Sequence, residues 1–148
     1  ALPICLSLVP LLLLAVTTAV SAADLRLART ADVDLPACDA VLERVSATFA
    51  HGAREVEKRP DLTLAAFGTV HEAGAGTIDR SPTVSRWCSA PVTLSDGTHT
   101  TAYWRLDRSL GFASAGYAEI PDGIEVCVAG HDPWHVHDGL CRTVRRWW

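Results

Sequence analysis

The chain contains no methionine, and no basic residue precedes Arg26. A start residue and the charged leading segment of an export signal are therefore both missing. The rest of such a signal is there: an apolar run over residues 6–20 ends in Val20-Ser21-Ala22-Ala23, with small side chains where a signal peptidase cuts. We expect residues 1–22 to be a signal peptide whose own start is truncated. A retained membrane span needs about 18 to 20 apolar residues, and here Pro10, Thr17, Thr18 and Ser21 interrupt or end a shorter run. Cys5 lies at the front of that run rather than at a cleavage site, which argues against a lipid-anchored cysteine.

Other absences narrow the function. Basic residues cluster nowhere except at Arg142, Arg145 and Arg146, and the net charge is -4, all of it carried after the signal, so nucleic acid is not an expected partner. There is no CxxC pair to suggest a zinc or redox motif. Gly111-Phe112-Ala113-Ser114-Ala115-Gly116 approaches a nucleophile elbow, but GxSxG requires glycine where Phe112 stands. Glu119, Asp122 and Glu125 offer carboxylates, yet they fall around a turn with no partner fixed by spacing and read as solvated charges.

Removal of the signal leaves about 125 residues, enough for one domain. It also leaves Cys38, Cys88, Cys127 and Cys141, an even number in an exported chain, which favours two disulfides over free thiols. A cysteine held in a disulfide is not available as a catalytic nucleophile.

Residues 23–33 read as a loose arm, and residues 34–148 as a single domain. Asp34 is placed to cap a helix, Pro36 suits its first turn, and Cys38, Val41, Leu42, Val45 and Phe49 recur at helical spacing as far as His51-Gly52. After a charged stretch over residues 54–60, residues 62–70 alternate as a strand, and the Gly- and Ala-rich residues 73–82 read as a flexible connection. Residues 86–106 form a hairpin around Ser95-Asp96-Gly97. A two-residue turn would mix apolar and polar side chains on each face. A three-residue loop with Gly97 in the left-handed position instead groups Cys88, Ala90, Val92 and Leu94 with Thr100, Ala102, Trp104 and Leu106. The opposite face then carries Trp87, Ser89, Pro91 and Thr93 against His99, Thr101, Tyr103 and Arg105, with Trp87 placed to stack on Arg105. Ile124, Val126 and Val128 alternate with Glu125, Cys127 and Ala129 in a last strand, and a Trp- and His-rich tail follows Gly130.

The expected fold is α+β: one N-terminal helix packed across a four-stranded antiparallel sheet, a cystatin-like or NTF2-like wrap. Face parity selects the disulfides. Cys88 lies on the helix side with Ala90 and Val92, Cys38 lies on the helix's apolar stripe, and Cys127 points away from Val126 and Val128. Pairing Cys38 with Cys88 and Cys127 with Cys141 closes loops worth ~4 and ~3 kcal/mol in the chain-entropy model.

With Cys38 opening the helix, Arg86-Trp87-Cys88, Ser95-Asp96-Gly97, Tyr103-Trp104, Gly111-Phe112-Ala113, Cys127-Val128-Ala129-Gly130-His131-Asp132 and Cys141-Arg142, the chain resembles a family of small, exported, disulfide-containing bacterial proteins of unknown function. The resemblance implies export and the disulfides, and no activity. The aromatic residue that usually precedes the last strand's cysteine in that family is Val126 here, and His135 and His137 lie outside its pattern.

Two stretches carry candidate chemistry. His131-Asp132-Pro133-Trp134-His135-Val136-His137-Asp138 concentrates potential ligands. In an extended segment His135 and His137 point the same way, as a zinc or copper site requires, with His131, Asp132 or Asp138 as a further ligand. The alternative is a solvated loop in which the histidines are incidental. The indoles of Trp87, Trp104, Trp134, Trp147 and Trp148 are the other stretch's material. Trp104 belongs to the core face. The tail, pinned by Cys127 and Cys141, either lays Trp134 over Trp87 and Tyr103 or leaves them exposed as an aromatic patch for a protein or cell-envelope partner. The leading expectation is thus a non-catalytic exported binding domain that uses Trp87, Tyr103, Arg105 and Trp134. A zinc- or copper-binding protein using His131, His135, His137 and Asp138 stands second, and a small enzyme with a pocket between helix and sheet third.

Overall fold

The register of the central hairpin is set by its loop. In this computed structural model, which describes residues 27–28, 33–78, 83–108 and 123–145, Leu94 N donates to Thr98 O at 2.8 Å and Gly97 adopts φ +86°. Ser95-Asp96-Gly97 is therefore the three-residue loop, with glycine where a side chain would be strained. The readings placed on residues 1–22, on Ser114, Glu119 and Asp122, and on Arg146, Trp147 and Trp148 lie outside the described residues. Strands β4 (Val84–Leu94) and β5 (His99–Asp107) pair with Cys88 opposite Trp104, Ala90 opposite Ala102 and Val92 opposite Thr100. The expected core face is the observed one, and Trp104, Leu106 and Ala102 are wholly buried on it.

Helix α1 (Leu42–Glu55) lies on that face after a 3-10 turn, Asp39–Val41. Val41, Val45, Phe49 and Ala53 pack with the sheet residues in one core, where each large apolar side chain contributes about 1.5–3 kcal/mol. Asp34 does not cap the helix, because its carboxylate is paired with Arg108 and its chain has not yet turned helical. Nor does the helix stop at Gly52. The buried Ala53 draws one more turn into the core and offsets the roughly 1 kcal/mol that a helical glycine costs.

Six strands form the antiparallel sheet, two more than the sequence led us to expect. The order is β1 (Leu27–Ala28), β3 (His71–Ile78), β4, β5, β6 (Gly123–Val128), and β2 (Leu64–Phe67) also pairs with β4. β1 (Leu27–Ala28) lies within the stretch read as a loose arm and pairs with Ile78 and Thr77. The single strand expected over residues 62–70 is instead β2 (Leu64–Phe67), followed by β3 (His71–Ile78), which runs into the supposed flexible connection. Both lie along the same edge of β4, and the break between them falls opposite Pro91. In the hairpin, the nitrogens of even-numbered β4 residues face β5, so that of Pro91 faces β2 and β3, where it has no proton to donate. Pro91 O still accepts from Gly68 N at 2.7 Å. Gly74 and Gly76, at φ +156° and +144°, fit β3 at a register shift between Glu72 and Gly74. These glycines made the strand look like a linker.

β6 (Gly123–Val128) pairs with β5 and sends Val128 to the helix-side core and Cys127 to the other face. Both disulfides are those chosen by parity: Cys38–Cys88 and Cys127–Cys141, with Cα separations of 5.7 and 5.5 Å. No helix among the described residues is long and apolar enough to cross a membrane.

Candidate functional site

The aromatic outer face is largely closed. Trp87 is buried, between Gly74 and Arg105 as cross-strand neighbours. Tyr103 packs on the small cluster of Cys127, Cys141 and Val144, with the Arg145 guanidinium 5.5 Å from its ring centroid. Arg105 serves as a latch: its Nε donates to Asp107 Oδ2 (2.8 Å), Nη1 donates to Thr143 O (2.9 Å), and Nη2 lies 3.2 Å from Glu125 Oε2. The tail covers this face with residues 141–145, not with Trp134.

Trp134 stands elsewhere, at a cleft of about 160 Å³ between the C-terminal end of α1 and the loop after β6. Phe49, Ala53 and Val56 form one wall, and Val126 and Val128 of β6 contribute to the other. The chain turns back at Gly130 into an isolated bridge between Val128 and His131. That turn brings His131 onto the helix, where its ring meets Phe49 edge to face at 5.7 Å and its Nδ1 lies 3.1 Å from Glu57 Oε2. An ionised carboxylate can only accept, so the proton sits on Nδ1. The side chains of this pair are only 12% and 14% exposed. Glu57 is a residue that sequence reasoning missed. It lies in a charged stretch 74 positions from His131, and no spacing rule connects the two.

Asp132 shapes the loop. Its Oδ1 accepts from Val136 N (2.8 Å), and its Oδ2 accepts from His137 N (2.8 Å) and Gly139 N (2.9 Å). Burial pushes this carboxyl up, but the N–H donors of Gly139, His137 and Val136 outweigh it and hold the group below the usual carboxylate range. A lowered folded-state value means that the stabilisation is complete above the unfolded value, near pH 4, and is lost as pH falls through the folded one. Asp132→Ala is expected to cost about 1–2 kcal/mol at neutral pH, the range for a carboxylate that caps several backbone amides. In urea denaturation the gap between parent and variant should close as the solution is taken below pH 3; a gap independent of pH would show that the charge is not responsible.

The segment that carries His135 and His137 turns instead of extending, so the two do not follow strand alternation. His135, Asp138 and Cys141 have φ near +54°, +59° and +59°, and His135 N and Asp138 N each close a turn. His137 Nδ1 contacts Thr143 Oγ1, His135 is exposed, and Asp138 pairs with Arg142 at 3.2 Å. Among the described residues no three His, Cys, Asp or Glu side chains gather as metal ligands.

What the loop does present is apolar surface. Trp134, Val136 and Leu140 are 70%, 67% and 50% exposed, and all three lie between His131 and Cys141. A second hollow, of about 430 Å³, lies between residues 58–62 and the hairpin loop. It is larger, but several of its polar groups are already engaged: Arg59 pairs with Asp96 at 2.7 Å, Ser95 Oγ donates to Asp61 O at 2.8 Å, and Lys58 Nζ donates to Glu55 O at 2.7 Å. The cleft beside α1 is therefore the candidate site. Comparison of the chain with protein-family models, curated proteins and solved structures finds no match.

Proposed function

We propose that the protein is a non-catalytic exported domain that holds a protein partner at the cell envelope against its C-terminal loop. The observation that carries this reading is the exposure of Trp134, Val136 and Leu140 together on one loop whose backbone is already fixed. Asp132 and the Cys127–Cys141 bridge do the fixing. Apolar side chains on a mobile loop would lose much of their binding energy to ordering, whereas a preformed loop avoids that loss. An exposed indole at the rim of a cleft is also the kind of anchor on which binding energy concentrates. Export is supported by two disulfides, which persist in oxidising compartments.

The test is selection of peptides from a random phage-displayed library on the immobilised parent protein. Selected peptides are expected to bind Trp134→Ala at least ~30-fold more weakly, the loss typical of an anchor worth 2 kcal/mol or more. Trp134 is exposed, so the variant should keep its fold and its melting temperature. Peptides that bind parent and variant equally would end this reading.

A further inference from the structure

We infer that the cleft beside α1 takes a basic side chain, the guanidinium or ammonium of an Arg or Lys on the partner, with its cationic head at Glu57 and its aliphatic stem along the apolar wall. The inference rests on the docking reading above and gives it a chemical class.

Charge gives the sign of the occupant. The cleft is lined by two carboxylates, Glu57 and Asp132, and by no Lys or Arg. The two carboxylates are not equivalent. Both oxygens of Asp132 accept backbone N–H groups and hold the loop. Glu57 gives Oε2 to His131, while its Oε1 makes no hydrogen bond with a described residue. That oxygen belongs to a side chain only 14% exposed, where water screens a charge less than it does on an open surface. An anion here would meet two carboxylates, and the imidazoles of His131 and His137 on the same lining are already engaged with Glu57 and Thr143. A purely apolar ligand would strip water from Oε1 and offer nothing in return. A cation with donors answers both.

The walls give the shape. Phe49, Ala53 and Val56 supply apolar surface for a three- or four-carbon stem, which basic side chains lay along such surfaces while keeping the head solvated or paired. Trp134 also lines the cleft, and an indole attracts a cation that reaches its face. A cleft of about 160 Å³ holds one side chain and no backbone; an engineered cavity of about 150 Å³ takes a single benzene. The net charge of -4 adds a long-range attraction for basic partners.

The pair n-butylguanidinium and n-butylurea separates charge from shape, since the two differ little in size. Titrations of the full chain would follow the Trp134 indole N–H and the backbone amides of Ala53 and Val56 by heteronuclear NMR. Butylguanidinium is expected to bind at these resonances at least tenfold more tightly than butylurea. Glu57→Gln keeps an oxygen for His131 but removes the charge, and should bring the two ligands to equal affinity. An arm that needs no variant is salt: going from 0.05 to 0.5 M should weaken butylguanidinium several-fold and leave butylurea unchanged. Equal affinities in the parent, shifts elsewhere in the protein, or an advantage that survives both Glu57→Gln and salt would each overturn the cation site. The two readings fail separately. Selected peptides that depend on Trp134 but carry no Arg or Lys overturn the cation site and leave the docking surface standing. Peptides indifferent to Trp134 overturn the docking surface, and butylguanidinium then decides the cation site alone.

Discussion

Replacing Cys38 and Cys88 together by alanine is expected to lower the stability of the domain by ~4 kcal/mol, against ~3 kcal/mol for the Cys127 and Cys141 pair. The difference follows from sequence separations of 50 and 14 residues, since a longer loop gains more freedom in the unfolded chain when it is opened. For a domain with a total stability of about 5–15 kcal/mol, the first loss is a large fraction. It corresponds to a fall in melting temperature of roughly 12–20 °C at this size. Cys38 leads into the turn before α1, and Cys88 lies mid-way along β4, both buried, so the bridge ties the helix's approach to the middle of the sheet. The second bridge matters less for global stability and more for the loop that carries Trp134. Its removal should weaken the selected peptides and lower the melting temperature by about three quarters as much as loss of the first bridge. Calorimetric melts of the two double variants that coincide with the parent's would show that neither cross-link constrains the unfolded chain.

Asp107→Ala should be comparably damaging, at about 3–5 kcal/mol, the range for removing one partner from a buried ion pair. The Asp107 side chain is 2% exposed and accepts from Ser85 Oγ at 2.5 Å and from Arg105 Nε at 2.8 Å. Alanine would leave a buried hydroxyl without its acceptor and the Arg105 guanidinium without its most enclosed partner. Because Arg105 also holds Thr143 O, the tail should loosen from Tyr103 in the same variant. Asp107→Asn retains an acceptor oxygen, and Glu125 still faces Arg105, so a milder loss of about 1–2 kcal/mol is expected. Urea denaturation would read both, with an unchanged slope marking a change in stability rather than in the unfolded state. A tolerated Asp107→Ala would mean that Glu125 alone satisfies the guanidinium.

Arg105 also shows where the sequence could and could not be read. Its place on the outer face, opposite Trp87, follows from counting by twos along the hairpin, and the structure keeps it there. The same parity chose both disulfides and placed Trp104 in the core, because side-chain alternation in a strand is rigid. What Arg105 holds could not be counted, since Asp107 is close in sequence but Glu125 and Thr143 reach it only through the folded sheet. The cleft was illegible for the same reason: Glu57 and His131 are neighbours only after the last strand has docked beside α1. The loop from His131 to Cys141 did carry a signal that the histidine spacing masked. Asp132 before Pro133, with Gly139 further on, is turn chemistry, and it predicts folding back rather than extension. In residues 71–78 the error ran the other way. Gly and Ala suggested a linker where the edge of β4 over residues 84–89 was available to pair with them.

The two bridges also decide what a protease can do to this chain. A single cut between Cys38 and Cys88, or between Cys127 and Cys141, leaves both products covalently joined, because each cut falls inside a closed loop. A cut between Cys88 and Cys127 separates the polypeptide into two pieces, each with its own bridge and neither linked to the other. Durability against a nick is therefore unevenly distributed along the backbone. It is greatest around the helix and the Trp134 loop, and least in the segment that joins them.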